Sequence, residues 1–281
     1  MSTPSPLISA QALQARLAAG LPTVVLDTRF DLAQPAAGAA AYAAGHLPGA
    51  VYAHLDQQLS GAKTGANGRH PLPERGSFAA WVGAQGIAPG VLVVAYDDQG
   101  GPYAARAWWL LRWLGHAEVA VLDGGWAAWR AAGGALDTAL PTPAGGAPYP
   151  ASATPAMPTV DAAALLAQLG RVRLVDARAA ERFRGDVEPL DPVAGHIPGA
   201  TLRFFKDNLQ ADGRFKPAEQ LRAEFSAWAA APERVVHQCG SGVTACHNLL
   251  AMAHAGLDGA LLYPGSWSEW CADPARPVAR G

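Results

Sequence analysis

Cysteine is scarce in this chain of 281 residues, which contains only Cys239, Cys246 and Cys271. An odd, low count excludes the disulfide framework that small secreted proteins use. A charge excess of one sign is also missing, because the chain has 21 basic and 23 acidic residues and contains no basic block. We therefore expect free thiols and no nucleic-acid partner.

Long hydrophobic runs are absent as well. No run reaches the ~18 apolar residues of a membrane-spanning helix, so we expect no membrane partner. The polar amino terminus lacks the charged and then apolar segments of a signal peptide, which favours the cytoplasm as the compartment. No set of Cys and His residues has the spacing of a closed metal site, and we expect no metal.

What the sequence does contain is an internal duplication. Three segments of the first half return in order in the second half: 24–29 (VVLDTR) as 173–178 (RLVDAR), 44–50 (AGHLPGA) as 194–200 (AGHIPGA), and 125–129 (GWAAW) as 265–270 (GSWSEW). Because one repeat is as long as a domain, the pattern indicates two related domains and not a solenoid. Residues 140–158 contain six prolines, which is typical of an extended linker. We predict domains over 1–140 and 159–281, joined by a linker over 141–158.

Each half alternates short apolar runs with helical patterns. The runs are apolar on both faces, as in buried parallel strands. Helices are predicted at Ala104–Leu114 and Val243–Ala255, and strands at Thr23–Asp27, Val91–Tyr96, Val119–Leu122, Arg173–Asp176, Arg234–Gln238 and Ala260–Tyr263. The alternation predicts an α/β fold in which each domain has a mainly parallel sheet with helices on both faces. In such sheets the reactive site lies beyond the carboxyl ends of the strands.

Residues 235–246 (VVHQCGSGVTAC) place Cys239 directly after a predicted buried strand. Gly240 and Gly242 are expected to adopt unusual φ values that turn successive N–H groups toward one point. These groups, together with those of Val243 and Thr244 at the helix start, would form an anion-binding concavity. A cysteine placed there is expected to react as its thiolate, and the same concavity would stabilise a persulfide.

The alternative is that Cys239 is a buried structural cysteine at a strand end. The duplication argues against it, because Cys239 corresponds to Asp97 in the first half when the strands are aligned. The fold therefore tolerates a polar side chain at this place, and the second half alone keeps a nucleophile there. We predict one catalytic and one non-catalytic domain.

The loop Cys-Gly-Ser-Gly-Val-Thr at 239–244, the paired Gly-His-Leu/Ile-Pro-Gly-Ala segments and the Gly-Gly-Trp and Gly-Ser-Trp elements make the chain similar to the tandem rhodanese-domain sulfurtransferases, over about residues 8–275. The loop resembles the branch that uses 3-mercaptopyruvate, because the thiosulfate branch typically carries basic residues where Gly240 and Ser241 stand. The resemblance implies that Cys239 takes sulfur from a small-molecule donor. It would pass the sulfur to cyanide or to a thiol acceptor, either a small thiol or a thioredoxin-like protein, without a cofactor.

The resemblance also assigns residues to the donor. Arg182 matches the position that binds the donor's anionic end, a task that suits the planar fork of a guanidinium. Arg184 is a further candidate. Enzymes of the mercaptopyruvate branch often have a second arginine after a Pro-Glu-Pro-like stretch, but Asp191 stands at its place here. One anchor for the donor's carboxylate is therefore expected to be missing.

Ser241, His70 and Asp56 correspond to a Ser-His-Asp trio proposed for the mercaptopyruvate branch. His70 would orient Ser241 for protonating the leaving enolate. The alternative for His70, which lies in a turn-rich segment, is an exposed loop histidine. His46 and His196 each sit before Pro-Gly in a turn that both halves share, so we expect them to fix these turns and not to act in catalysis.

Other functions stay open at the level of the sequence. Cysteine phosphatases and arsenate reductases need an arginine that closes a Cys-x₅-Arg loop, and Ala245 stands there. Cys239 disfavours a non-catalytic binding module, although a persulfide carrier for a dedicated acceptor remains an alternative. Thiosulfate is the alternative donor. The neutral Gly240-Ser241 pair disfavours it, because the pair offers no cation to a dianion. Asp191 favours it, because this residue replaces an arginine expected for mercaptopyruvate.

Overall fold

The computed structural model describes residues 5–142 and 145–281, and within them the chain divides into two compact units. Unit 1 consists of the described residues of Met1–Ser60, Pro73–Ala156 and Ala211–Phe215. Unit 2 consists of Gly61–Leu72, Met157–Gln210 and Lys216–Gly281. The domain and linker boundaries given above stay predictions, and residues 1–4 and 143–144 lie outside the described residues.

Unit 1 is built on a parallel sheet. Its strands are β1 (Leu7–Ile8), β2 (Thr23–Asp27), β3 (Val51–Tyr52), β4 (Leu92–Tyr96) and β5 (Val119–Leu122). Among the described residues they form a five-stranded sheet in the order β1-β5-β4-β2-β3, and every pairing is parallel. The helices are α1 (Ala10–Ala18), α2 (Ala37–Ala44), α3 (Arg75–Ala84), α4 (Pro102–Leu114) and α5 (Gly125–Ala131).

Unit 2 repeats this plan. Its strands are β6 (Arg173–Asp176), β7 (Thr201–Leu202), β8 (Val235–Gln238) and β9 (Leu261–Leu262), which form a parallel sheet in the order β7-β6-β8-β9 within the described chain. The helices are α6 (Ala162–Gln168), α7 (Ala180–Arg184), α8 (Ala218–Glu224), α9 (Ser226–Ala229), α10 (Thr244–His254) and α11 (Ser266–Trp270). Two 3₁₀ turns lie at Phe205–Asn208 and Pro232–Arg234.

Helix α4 shows why the sequence folds as it does. Gly101 and Gly115 flank it in the left-handed conformation, which glycine adopts without a Cβ penalty, and Pro102 fills the first helical position, where its missing N–H is not needed. Twelve of its 13 residues are buried, so it is a core helix and not an amphipathic surface helix. In unit 2, α10 follows the corresponding strand and buries eight residues.

The predicted strands and both predicted helices are confirmed, with boundaries that agree to within two residues. Strands β1, β3 and β7, of two residues each, were not predicted. Strand β9 is equally short but was predicted, because it lies within the apolar run Ala260–Tyr263. Strands β4 and β8 lie inside their sheets, and each ends directly before a loop that carries a polar residue, Asp97 or Cys239. No helix in the described part of the chain is long and apolar enough to span a membrane.

Candidate active site

Cys239 is the first residue after β8, and only 2% of it is exposed. The N–H groups of Ser241 and Gly242 donate to its Sγ, with N···S distances of 3.4 and 3.2 Å. Main-chain donors that converge on one atom stabilise negative charge there. Two amides of the predicted concavity are therefore in place, whereas the parts that Val243 and Thr244 play in binding stay predictions.

The two glycines of the loop are needed for different reasons. Gly242 has φ +79°, and a Cβ there would lie 2.3 Å from the carbonyl oxygen of Pro264. The prediction of a similar φ at Gly240 is wrong, because this residue is not among the glycines with positive φ. A Cβ on Gly240 would instead lie 2.9 Å from Nη2 of Arg69 and 3.4 Å from Nη1 of Arg182. Gly240 therefore leaves room for two guanidinium groups beside the cysteine.

The backbone of Cys239 is held from the start of α11. Its N–H donates to Oγ of Ser266 at 3.1 Å, and its carbonyl oxygen accepts from the N–H of Trp267 at 3.0 Å. The hydroxyl of Ser266 in turn donates to the carbonyl of Tyr263 at 2.9 Å. Among the described residues, Ser266 is the one non-glycine with positive φ, at 54°. This strained conformation places its hydroxyl between two main-chain groups, so it fixes the cysteine loop.

The corresponding loop of unit 1 contains a carboxylate where unit 2 has the thiol. Asp97 accepts four main-chain N–H groups at 2.8–3.1 Å, those of Gln99, Gly101, Tyr103 and Ala104. Its carbonyl oxygen accepts from the N–H of Trp126 at 2.9 Å, just as Cys239 accepts from Trp267. The same place in both units is therefore lined with donors for an anion.

Ser241 and His70 are brought together within unit 2. Oγ of Ser241 lies 2.7 Å from Nδ1 of His70, and both residues are buried. The alternative of an exposed loop histidine is therefore wrong. Asp56 belongs to unit 1, where its N–H donates to Nδ1 of His54 at 3.1 Å. Its membership of the trio stays a prediction.

Arg182 is part of an ion network in unit 2. Its Nη2 lies 2.6 Å from Oε1 of Glu188 and 3.2 Å from Oδ2 of Asp191, and its Nε lies 3.2 Å from Oε2 of Glu188. The other oxygen of Asp191 accepts from Nη1 of Arg69. Arg184 pairs instead with Asp186 at 2.8 Å, and half of its side chain is exposed. A role for Arg184 in donor binding stays a prediction.

No sequence pattern indicated Arg69 or Arg178 as site residues. Arg69 directly precedes His70, and this adjacency was the available signal. Arg178 belongs to the repeated Asp-x-Arg segment and forms an ion pair of 2.7 Å with Asp176. Burial alone would lower the pKa of Arg178, but the charges of Asp176, Glu188 and Cys239 outweigh burial and raise it. Arg178 therefore adds a fixed positive charge near the reactive sulfur.

His46 and His196 hold their turns as predicted. Nδ1 of His46 donates to the carbonyl of Tyr42 at 2.8 Å, and the two rings stack with centroids 4.1 Å apart. Nδ1 of His196 donates to the carbonyl of Phe183 at 2.8 Å, and these rings stack at 3.9 Å. Each imidazole therefore ties its turn to a neighbouring helix, α2 for His46 and α7 for His196.

A cysteine in an amide-lined loop after a buried parallel strand is typical of enzymes whose nucleophile is a cysteine. Comparison with known families narrows this class, because the rhodanese-like domain family matches residues 9–132 and 159–273. The chain belongs to this family and contains two of its domains in tandem. It is a sulfurtransferase, since its relatives carry the names of 3-mercaptopyruvate and thiosulfate sulfurtransferases.

The chain is 50% identical, over 285 residues and 98% of each chain, to a probable 3-mercaptopyruvate sulfurtransferase from Pseudomonas aeruginosa. It is 46% identical to a putative thiosulfate sulfurtransferase from Mycobacterium tuberculosis. That match extends over 277 residues, 98% of this chain and 97% of the relative. Its fold matches the 3-mercaptopyruvate sulfurtransferase from Leishmania major with a TM-score of 0.83 and 31% identity, over 94% of this chain and 73% of that one. These comparisons confirm the predicted fold and enzyme class.

Proposed function

We propose that the enzyme takes sulfur from 3-mercaptopyruvate onto Cys239 and passes it to cyanide, to a small thiol or to a thioredoxin-like protein. The observation that supports this most directly is the pair of N–H groups, from Ser241 and Gly242, that donate to the Sγ of Cys239. These donors stabilise the thiolate before sulfur uptake and a persulfide after it. In this proposal the reaction needs no cofactor and takes place in the cytoplasm.

In the first half-reaction the thiolate of Cys239 attacks the sulfur of the donor. An S–S bond forms, the C–S bond breaks, and its electron pair moves to carbon and gives the enolate of pyruvate. The donor's sulfur is oxidised to the persulfide level while the carbon is reduced. Arg182 holds the donor's carboxylate through its planar fork, and Gly240 leaves the space for it.

The enolate carbon must take up a proton to become pyruvate. Oγ of Ser241 lies beside the sulfur loop and 2.7 Å from Nδ1 of His70. We assign Ser241 the role of proton donor, and His70 the role of returning the proton to the hydroxyl. Asp56 would orient His70 as the third member of the trio. In the second half-reaction the acceptor attacks the outer sulfur and releases the thiolate of Cys239.

Thiosulfate is the second candidate donor, because a relative that is 46% identical carries the name of a putative thiosulfate sulfurtransferase. Its leaving group is sulfite, which departs without taking up a proton. The proton-donor pair of Ser241 and His70 favours mercaptopyruvate over thiosulfate, since only the pyruvate enolate needs it.

Intact-mass spectrometry after brief exposure to donor tests the proposal. With 3-mercaptopyruvate the wild type should gain about 32 Da, the mass of one sulfur, and Cys239→Ser should gain nothing. Cys246→Ser is the matched control, because Cys246 is also buried and its thiol donates to the carbonyl of Gly242. Parallel steady-state kinetics with thiosulfate rank the donors. A persulfide on Cys246, or none on either residue, contradicts the proposal.

A further inference from the structure

We infer that a cavity at the amino end of the unit 2 sheet, lined by Arg171, Arg173 and Arg234, is a binding site for a small phosphate ester. The site is separate from the reactive cysteine, and the inference holds whichever sulfur donor the enzyme uses. The ligand would carry a phosphate for the three guanidinium groups and a small apolar group for the remaining wall.

The position of the cavity is the first observation. Arg173 is the first residue of β6, and it pairs in register with Val235, the first residue of β8. Both residues line the cavity. Cys239 follows the other end of β8, and a strand of four residues spans about 13 Å. The cavity and the reactive sulfur therefore lie at opposite ends of one strand of unit 2.

The size and lining of the cavity are the second observation. Its volume is about 430 Å³, which lies within the range of small-molecule sites. One side is polar, with the three arginines and Thr201. The other side is apolar, with Ala227, Trp228 and Ala231. The cavity therefore suits a ligand that has an anionic end and a small apolar end.

The charge of the cavity has no internal balance. In the described part of the chain Arg171, Arg173 and Arg234 form no ion pair, and none of the residues that line the cavity is acidic. All three arginines are exposed, so their N–H groups can reach a ligand. Like charges around one cavity repel each other, and a bound anion relieves this repulsion. A phosphate monoester, with a charge close to −2 at neutral pH, matches the site better than a carboxylate.

Arg234 is held in place at the cavity. Its Nη2 donates to the carbonyl oxygen of Arg171 at 2.8 Å, which ties the segment before β8 to the segment before β6. A guanidinium group has five N–H donors, so others are left for a ligand. Because the side chain is already fixed, it loses less freedom on binding, and such pre-organisation increases affinity.

Unit 1 shows that the fold itself does not need these arginines. Strands β2 and β4 of unit 1 form the same parallel pair as β6 and β8 of unit 2. When these strands are aligned, Arg171, Arg173 and Arg234 correspond to Pro22, Val24 and Leu92. None of the three counterparts is charged. Formation of the sheet therefore does not explain the arginines, which belong to the unit that carries the reactive cysteine.

Isothermal titration calorimetry with phenyl phosphate at low ionic strength tests the site. This probe has one phosphate and one small apolar ring, whereas inorganic phosphate lacks the ring. We expect the wild type to bind phenyl phosphate more tightly than inorganic phosphate, because only the former buries apolar surface. Arg173→Gln and Arg234→Gln should each weaken the binding of phenyl phosphate about 10- to 100-fold, since a charge-assisted hydrogen bond has this value.

Two further variants are the controls. Arg130→Gln removes an exposed arginine of unit 1 and changes the net charge by the same amount, so it should bind as the wild type does. Arg182→Gln, beside the cysteine loop, should also keep the binding. Thermal unfolding of each variant shows whether the fold is retained.

Three results would overturn the inference. The first is the absence of wild-type binding at millimolar phenyl phosphate. The second is an equal loss in Arg130→Gln and Arg173→Gln, which would mean that net charge alone attracts the probe. The third is a loss in Arg182→Gln together with unchanged binding in Arg173→Gln, which would place the probe at the reactive cysteine.

Discussion

Ser241 and His70 are 171 residues apart in the sequence, yet Oγ and Nδ1 are 2.7 Å apart in unit 2. The hydroxyl is one residue beyond Gly240 and two beyond the nucleophile, which is a suitable place to give a proton to a group leaving from the sulfur. Two residues that are distant in sequence therefore form one proton-donor pair. The pair should affect the rate only when the leaving group needs a proton.

Replacement of Ser241 by alanine should therefore separate the two donors. We expect kcat for 3-mercaptopyruvate to fall about 100-fold or more in Ser241→Ala, because general acid catalysis contributes that much. Sulfur uptake from thiosulfate should change by less than about threefold, since sulfite leaves without a proton. Steady-state thiocyanate formation with each donor is the measurement. An equal loss on both donors would assign Ser241 to the structure of the loop alone.

Gly240 offers a second prediction at the scale of one residue. In Gly240→Ala the new methyl group would lie 2.9 Å from Nη2 of Arg69, so the guanidinium groups must shift. We expect KM for 3-mercaptopyruvate to rise about tenfold, because misplaced binding groups cost this much. Gly45→Ala is the matched control, since its Cβ would meet only Leu136 at 4.0 Å. Equal kinetics of both variants would contradict the assigned role of Gly240.

At the scale of elements, α5 and α11 each begin at a residue with positive φ. Gly125 has φ +52° in unit 1, and Ser266 has φ 54° at the matching place in unit 2. Unit 2 thus accepts a strained serine where unit 1 has the residue that tolerates this conformation. The hydroxyl explains the difference, because it accepts the N–H of Cys239.

Ser266→Gly should therefore leave stability almost unchanged while it slows sulfur transfer. Relief of left-handed strain contributes about 1–2 kcal/mol, and loss of the buried hydrogen bond costs about 1–3 kcal/mol. We expect the persulfide to form several-fold more slowly, because the backbone of Cys239 is less fixed. The reverse change, Gly125→Ser, should destabilise unit 1, since its Cβ would lie 2.3 Å from the carbonyl of Asp97. Chemical denaturation and single-turnover rates measure both effects.

The elements also show how far the sequence could predict the structure. Strands β2, β4, β5, β6, β8 and β9 were predicted, because buried parallel strands are continuous apolar runs. The position of Cys239 follows from the strand before it. The place of Arg69 beside Gly240 could not be predicted, because no local pattern shows that residues 61–72 fold with unit 2. The sequence predicted that Gly240 is needed for an unusual φ value, which is wrong. It is needed for the space taken by Arg69 and Arg182, which lie far away in sequence.

At the scale of the whole molecule, each unit contains a buried histidine that should make it sensitive to acid. His237 on β8 is fully buried, its Nε2 lies 3.0 Å from Sδ of Met252, and burial lowers its pKa to about 3. Burial also lowers the pKa of His116 in unit 1. Because the folded units hold these rings neutral while the unfolded chain protonates them, stability is complete above pH ~6.5 and is lost as the pH falls.

The contribution of His237 should amount to about 1.4 kcal/mol for each pH unit below ~6.5, down to the folded pKa. Denaturant unfolding of the wild type at pH 7.5, 6.5 and 5.5 measures this slope. In His237→Leu the slope should decrease by about one proton, whereas His116 continues to contribute in unit 1. A variant whose slope equals that of the wild type would show that the ring titrates normally.

Asp97 shows how this loop holds a side chain that has two acceptor atoms instead of one. Its two carboxylate oxygens take four N–H groups, whereas the single sulfur of Cys239 takes two. A second sulfur atom would supply another acceptor for amides that follow Gly242. We therefore expect the resting enzyme to be the looser of its two forms, and loading with sulfur should slow amide hydrogen exchange at residues 240–245. In each catalytic cycle the Cys239 loop would accordingly alternate between a pliable and a rigid state. The Asp97 loop of unit 1 would stay rigid throughout.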